Sequence, residues 1–169
     1  MEKDDTYYFH QTPTELARDI VAKYDHLFAA GDILYEAFKG EGAFYNAFPD
    51  RCVKKWAEIV EGKDYKEETE YDWVVSNPPF RLEGEDGRRN AFWELIDYFT
   101  QRAKKGVVFV GNDRCISTLT PLRQQILRTR GWGLTHLTMV NVKKWRGRYY
   151  VFVFQPTTQP ILDCIVKNY

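Results

Sequence analysis

Short apolar runs alternate with amphipathic stretches along most of this chain. Thr12-Pro13-Thr14-Glu15 opens the first stretch, and Leu16, Ile20, Val21 and Leu27 then recur at near-helical spacing to about residue 28. Thr12 is placed to cap that helix, Pro13 to occupy its first position and Glu15 to close a capping box. Residues 32–38 read as a strand, 39–42 as a turn and 43–48 as a short helix. Residues 52–59 look like a second strand and 71–76 like a buried one. A helical pattern over 89–104 puts Phe92, Leu95, Ile96 and Phe99 on one face. Residues 106–111 form a short apolar strand and 121–130 another helix. Two late strands, 134–142 and 149–155, are joined by the basic segment 143–148 as a hairpin. This alternation predicts an α/β fold: a Rossmann-like, doubly wound, mostly parallel sheet with a C-terminal antiparallel hairpin. No internal repeat or linker interrupts it, so residues 1–169 are expected to form one domain.

Composition narrows the class. At 169 residues, 44% apolar and 16% aromatic, the chain can bury a sizeable core. Its formal net charge is zero. A sequence-independent nucleic-acid coat protein would be basic, because phosphate neutralisation drives that binding. Neutrality leaves room only for a local basic patch. Cys52, Cys115 and Cys164 are far apart and lack metal-ligand spacing, so no metal site is expected. Their sparse, odd number fits a reducing interior. The charged start, Met1-Glu2-Lys3-Asp4-Asp5, lacks the apolar core of a signal peptide, and no apolar run is long enough for a membrane span. The expected location is the cytoplasm, or the nucleus if the source has one.

Three segments carry candidate chemistry. In the first, Glu36-Ala37-Phe38-Lys39-Gly40-Glu41-Gly42 follows a strand and opens a helix, where glycines let a backbone approach a ligand. The spacing is neither GxGxxG nor Walker A. Glu36 and Glu41 disfavour a pyrophosphate and suit a ligand with a cationic end; a plain tight turn is the other reading. In the second, Glu58 stands at the end of the second strand, where an acid can accept hydrogen bonds from both hydroxyls of a ribose, with Glu61 as the second candidate. Ile59, Asp64 and Tyr65 follow Glu58, with Asp64 spaced for an adenine amino group and Tyr65 for the ring. A charged surface loop is the alternative.

The third segment, Asn77-Pro78-Pro79-Phe80, ends the buried strand. Ligands and catalytic groups collect at the carboxyl ends of strands in such sheets. Two prolines keep the backbone extended and stiff there, and Pro78 cannot donate, which leaves carbonyls to face a ligand. An exocyclic amine needs its hydrogens held so that the nitrogen lone pair faces an electrophile. The Asn77 side-chain oxygen and the Pro78 carbonyl can accept them, while Phe80 stacks on a planar acceptor.

Together these residues resemble the amino-methyltransferases of the class I S-adenosylmethionine-dependent fold. Their order resembles that of adenine-N6 DNA methyltransferases whose cofactor motifs precede the catalytic one. The resemblance spans residues 10 to about 154. It implies S-adenosylmethionine as cofactor. His10 and Thr12 would lie in the segment that contacts its methionine part. Glu36, Phe38, Gly40 and Gly42 would form the glycine-rich motif, Glu58 and Ile59 the ribose-binding pair, Asp64 and Tyr65 the adenine contact, and Asn77, Pro78, Pro79 and Phe80 the catalytic loop, with Asn77 also among the cofactor contacts. Gly147-Arg148-Tyr149-Tyr150 is similar to the late segment that helps hold a flipped base. The chain departs from the family in carrying Ala37 where proline is frequent, and in having no room for a target-recognition domain. A partner subunit, a second copy or short loops would then supply recognition.

Nucleic acid, DNA first, is the expected partner, with no membrane. Arg81, Lys144, Trp145, Arg148 and Tyr149 are the candidate substrate contacts, because cations interleaved with aromatics suit phosphates and stacked bases. A solvated hairpin tip with edge-protecting charges is an equal alternative. The same chemistry on RNA adenine or a protein glutamine amide stays open, as does a non-catalytic subunit using the fold as a scaffold.

Overall fold

The computed structural model describes residues 11–79 and 91–165. Its sheet consists of β1 (Ile33–Glu36), β2 (Val53–Trp56), β3 (Trp73–Ser76), β4 (Gly106–Asn112), β5 (Trp132–Val140) and β6 (Tyr149–Pro156), in the spatial order β2-β1-β3-β4-β6-β5. The first four strands are mutually parallel, and β6 runs antiparallel between β4 and β5. The predicted doubly wound sheet with a late hairpin is therefore present.

Two cores follow from the pleat. Along β4, Val107 and Phe109 point to one face and Val108 and Val110 to the other; along β6, Phe152 and Phe154 oppose Val151 and Val153 in the same way. Both faces are covered, which is why these strands read as unbroken apolar runs rather than alternating ones. On the first face lie α3 (Ala91–Thr100), α4 (Asp113–Thr118) and α5 (Pro121–Thr129), supplying Phe92, Leu95, Phe99 and Leu127. On the second lie α1 (Thr14–Tyr24) and α2 (Ala43–Ala47), supplying Ile20, Val21, Tyr24 and Phe44. Each buried aromatic of this size contributes roughly 1.5–3 kcal/mol by leaving water.

Several expectations are corrected. The helix expected from Thr12 to residue 28 is α1 plus a 3-10 turn at Asp25–Leu27. Pro13 sits at its N-cap rather than inside its first turn, no side chain caps it, and the Thr12 hydroxyl is engaged elsewhere. β1 is shorter than residues 32–38: Asp32 turns its carboxylate onto Ala29 N and Lys105 Nζ at one end, and at the other Phe38 N bonds the Ser76 side chain rather than a ladder partner. β2 stops at Trp56, and Glu58 begins a 3-10 turn (Ile59–Glu61) by accepting from Val60 N at 3.2 Å. The helix expected over 89–104 ends at Thr100, and its expected first residues lie outside those described. The six-residue α4 was not foreseen, because Asp113–Thr118 is too short and polar to show a period. By contrast α5 starts at Pro121, as expected, with Thr120 Oγ1 accepting from Arg123 N.

Candidate active site

The chain turns outward from β1 to β2 in one direction and from β3 to β4 in the other, so a topological switch point lies between β1 and β3. Crevices for ligands form beyond the carboxyl ends of strands at such a point. Here the two strand ends are clasped: Phe38 N donates to Ser76 Oγ at 3.2 Å, and Ser76 Oγ donates to Phe38 O at 3.4 Å. Asn77 follows directly. Its Nδ2 donates to Thr12 Oγ1 at 3.2 Å across 65 residues of sequence. This bond orients the carboxamide and uses one of the two Nδ2 hydrogens. The oxygen is the end that an amine hydrogen requires. Pro78 is buried and Pro79 half-buried beside it.

The glycine-rich turn stands next to this loop. Gly42 is the N-cap of α2 with φ of 85°, a left-handed conformation that a side chain would strain, and Gly40 is likewise positive at 53°. Glu36 ends β1, is 2% exposed, and accepts from Tyr45 N at 2.6 Å, at the start of α2. Burial raises its carboxyl from the usual range to about 8, against the opposing pull of the Tyr45 and Phe44 amides and of Lys39.

Glu58 bridges the turn and the end of β2. Its Oε2 accepts from Gly40 N at 2.7 Å and its Oε1 from Val60 N. A carboxylate offers about four lone-pair positions, so the two oxygens retain capacity for the two hydroxyls of a ribose. Ile59, beside it, is 61% exposed, an apolar surface open to a flat ring. Tyr65 packs against Phe38 with centroids 5.1 Å apart, while Asp64 Oδ1 accepts from Lys66 N. Thr12, Glu36, Phe38, Gly40, Gly42, Glu58, Tyr65 and Asn77 are thus linked around one end of the sheet through neighbouring contacts. His10, Phe80 and Arg81 lie outside the described residues.

The remaining acceptor residues divide. Parallel β5 ends and antiparallel β6 begins at this same edge, so the segment 143–148 lies on the side of Asn77. Within it, Trp145 and Tyr149 are 9% and 4% exposed, and their rings pack together 4.6 Å apart in the second core. The expectation that these two rings offer open stacking surfaces is corrected: they are already covered. Lys144 and Arg148 face solvent. Sequence reasoning also missed Ser76, Asn112 and Asp113. A signal existed, because Asn112 follows the apolar run 107–111 much as Asn77 follows 71–76.

Solved structures share this fold. A Pyrococcus horikoshii protein described as a candidate RNA methyltransferase aligns over 92% of this chain and 89% of its own, with a TM-score of 0.64 at 15% identity. A Listeria monocytogenes protein described as a candidate class I S-adenosylmethionine-dependent methyltransferase aligns over 96% of this chain and 65% of its own, at a TM-score of 0.66 and 10% identity. The chain has the class I methyltransferase fold. A modification subunit of a candidate type I restriction enzyme from Vibrio vulnificus aligns over 89% of this chain but 45% of its own, at a TM-score of 0.62 and 13% identity. No protein-family model matches the chain, and no curated protein matches it in sequence. Among the described residues, no group of three or more potential ligands could hold a metal, and no helix is long and apolar enough to cross a membrane.

One consequence is direct. Replacing Thr12 by valine keeps its shape and removes the oxygen that orients Asn77. If the site transfers a methyl group with Asn77 orienting the acceptor, turnover of Thr12→Val should fall about 5- to 30-fold in kcat, the cost of losing one positioning hydrogen bond of roughly 1–2 kcal/mol, while Thr12→Ser retains most activity. Steady-state kinetics at saturating substrates would check this.

Proposed function

We propose that the chain is an S-adenosylmethionine-dependent methyltransferase acting on an exocyclic amine, N6 of adenine in DNA. The observation that carries the reading is Asn77, placed at the switch point beside the glycine-rich turn with its amide nitrogen held by Thr12. The donor set fits the cofactor: Glu58 retains acceptor capacity for a ribose, Ile59 and Tyr65 offer flat apolar contact, and Glu36 supplies an acid at the turn. When bound, S-adenosylmethionine supplies an electrophilic methyl group.

The chain's own residues do the rest. Asn77 Oδ1 and the Pro78 carbonyl accept the two amine hydrogens and turn the nitrogen lone pair toward the methyl. No strong base is required, because the methylated amine sheds its extra proton after transfer. Catalysis is positioning and electrostatics. An adenine in a duplex must first leave the stack, at a cost of a few kcal/mol, so a single strand or a flipped base is the acceptor. DNA is preferred on the resemblance of the motif order and on the exposed Lys143, Lys144, Arg146 and Arg148 at the acceptor side.

The test is incubation with labelled S-adenosylmethionine and unmethylated DNA, RNA and protein in parallel. N6-methyladenine in the DNA is the expected product. Label confined to RNA or to protein glutamine would move the assignment to that acceptor. A sample that binds the cofactor by calorimetry but labels nothing would overturn the enzymatic reading.

A further inference from the structure

β4 overhangs its neighbour. Ser76, the last residue of β3, pairs with Phe109, and β4 continues three residues further to Asn112. At ~3.3 Å per residue the overhang stands about 10 Å above the Asn77 loop. β6 is paired along it, with Tyr149 opposite Asn112, so Arg148 emerges at the top of this wall, two strand spacings or roughly 10 Å across from β3.

The chain then folds back sharply. Asn112 Oδ1 accepts from Arg114 N and caps α4, and Gly111 lies so close to Cys115 that a Cβ there would come within 2.6 Å of its sulfur. The fold-back places Asp113 at the start of α4, facing β6. Its two oxygens take different partners: Oδ2 accepts from Arg148 Nε at 3.2 Å, and Oδ1 accepts from Tyr150 OH at 2.9 Å. Tyr150 is a fixed post, because its ring is 8% exposed and belongs to the first core.

We infer that Asp113 is a positioning residue that holds the Arg148 guanidinium on the acceptor side of the site, where Arg148 grips a phosphate flanking the target nucleotide. The Arg148 and Asp113 side chains are 71% and 47% exposed. An ion pair that open contributes little to stability, so orientation is the effect of note. Binding Nε to one carboxylate oxygen, with the other oxygen locked by Tyr150, fixes the plane of the guanidinium. Its outer Nη groups are then the donors turned to a ligand, and a planar fork is the donor suited to phosphate. The neighbouring exposed cations Arg114, Lys144 and Arg146 give the wall the same sign. This inference rests on the nucleic-acid reading above.

The experiment measures methyl transfer to single-stranded and duplex DNA, and DNA affinity at several salt concentrations, for the wild type, Asp113→Ala, Asp113→Asn, Asp113→Glu, Arg148→Ala and the Asp113→Ala, Arg148→Ala double variant. Asp113→Ala should raise the DNA KM about 5- to 20-fold with kcat within about twofold. For Arg148→Ala, which removes the cation itself, the slope of log affinity against log salt should fall by about 1. The double variant should match Arg148→Ala alone, since Asp113 acts through that arginine, and Asp113→Glu should restore part of the lost affinity. A wild-type KM for both Asp113→Ala and Asp113→Asn would overturn the inference, as would a full additional loss in the Arg148→Ala background, which would mark Asp113 as a support of α4 only. A wild-type enzyme that labels no nucleic acid overturns the proposed function instead, so the two failures are distinguishable.

Discussion

Under the proposed function, Asn77→Ala should abolish methyl transfer, lowering kcat by about 100-fold or more, while S-adenosylmethionine binds within a few-fold of the wild type. The loss is large because two effects coincide. One acceptor for the amine hydrogens disappears, leaving the lone pair unaimed, and preorganised polar contacts of this kind are worth roughly 2.7–4 kcal/mol in a water-excluded site. The second effect concerns Thr12, whose hydroxyl loses the Nδ2 donor it now accepts from. Cofactor affinity is spared because Glu36 and Glu58 take their hydrogen bonds from Tyr45, Gly40 and Val60, not from Asn77. Single-turnover assays with labelled cofactor, beside calorimetric titration, separate the two quantities. Near-normal turnover in Asn77→Ala would remove the amine-acceptor role from this residue. Loss of cofactor binding in the same variant would show that the loop supports the cofactor instead.

The sequence made these residues legible to different degrees. Asn77 could be placed because a buried strand and two prolines fix the backbone on both sides of it, and local rules suffice. The parallel sheet was legible from strand and helix alternation, and the hairpin from the basic segment between two late apolar runs. Thr12 was misread because a threonine before proline satisfies the helix-start rule equally well. Only the fold shows that its hydroxyl meets a side chain 65 residues away. Trp145 and Tyr149 were misread because interleaved aromatics and cations look alike whether the rings face a base or the core, and burial decides it. Asp113 was invisible for a related reason. Its partners Arg148 and Tyr150 are 35 and 37 residues distant, and only the β4–β6 pairing brings them together.

Glu36 should make the protein less stable as pH rises. Its carboxyl is raised to about 8 in the folded state, chiefly by burial, against an unfolded value near 4.5. Below about pH 4.5 the group is protonated in both states and costs nothing. Between about 4.5 and 8 the folded chain holds a proton that the unfolded chain has released, so folding stability declines across that window and is flat above it. The full penalty is on the order of 5 kcal/mol, at about 1.36 kcal/mol per pH unit over the shift from 4.5 to about 8. Glu36→Gln keeps the shape and the acceptor for Tyr45 N while removing the titration. The variant should be several kcal/mol more stable than the wild type at pH 8–9, and its stability should change less across pH 5–8, as read by urea denaturation at each pH. A natural chain retains a destabilising acid where function needs it. Under the proposed function, the sulfonium and ammonium of S-adenosylmethionine favour the ionised carboxylate, so binding near pH 7 should release close to one proton. Calorimetry in buffers of differing ionisation enthalpy would count that proton, and Glu36→Gln should release none. If Glu36→Gln binds the cofactor as tightly as the wild type with the same proton count, the acid serves the turn and not the ligand. If the variant also shows no gain in stability at pH 8–9, the carboxylate is better solvated by the Tyr45 and Phe44 amides than its burial implies.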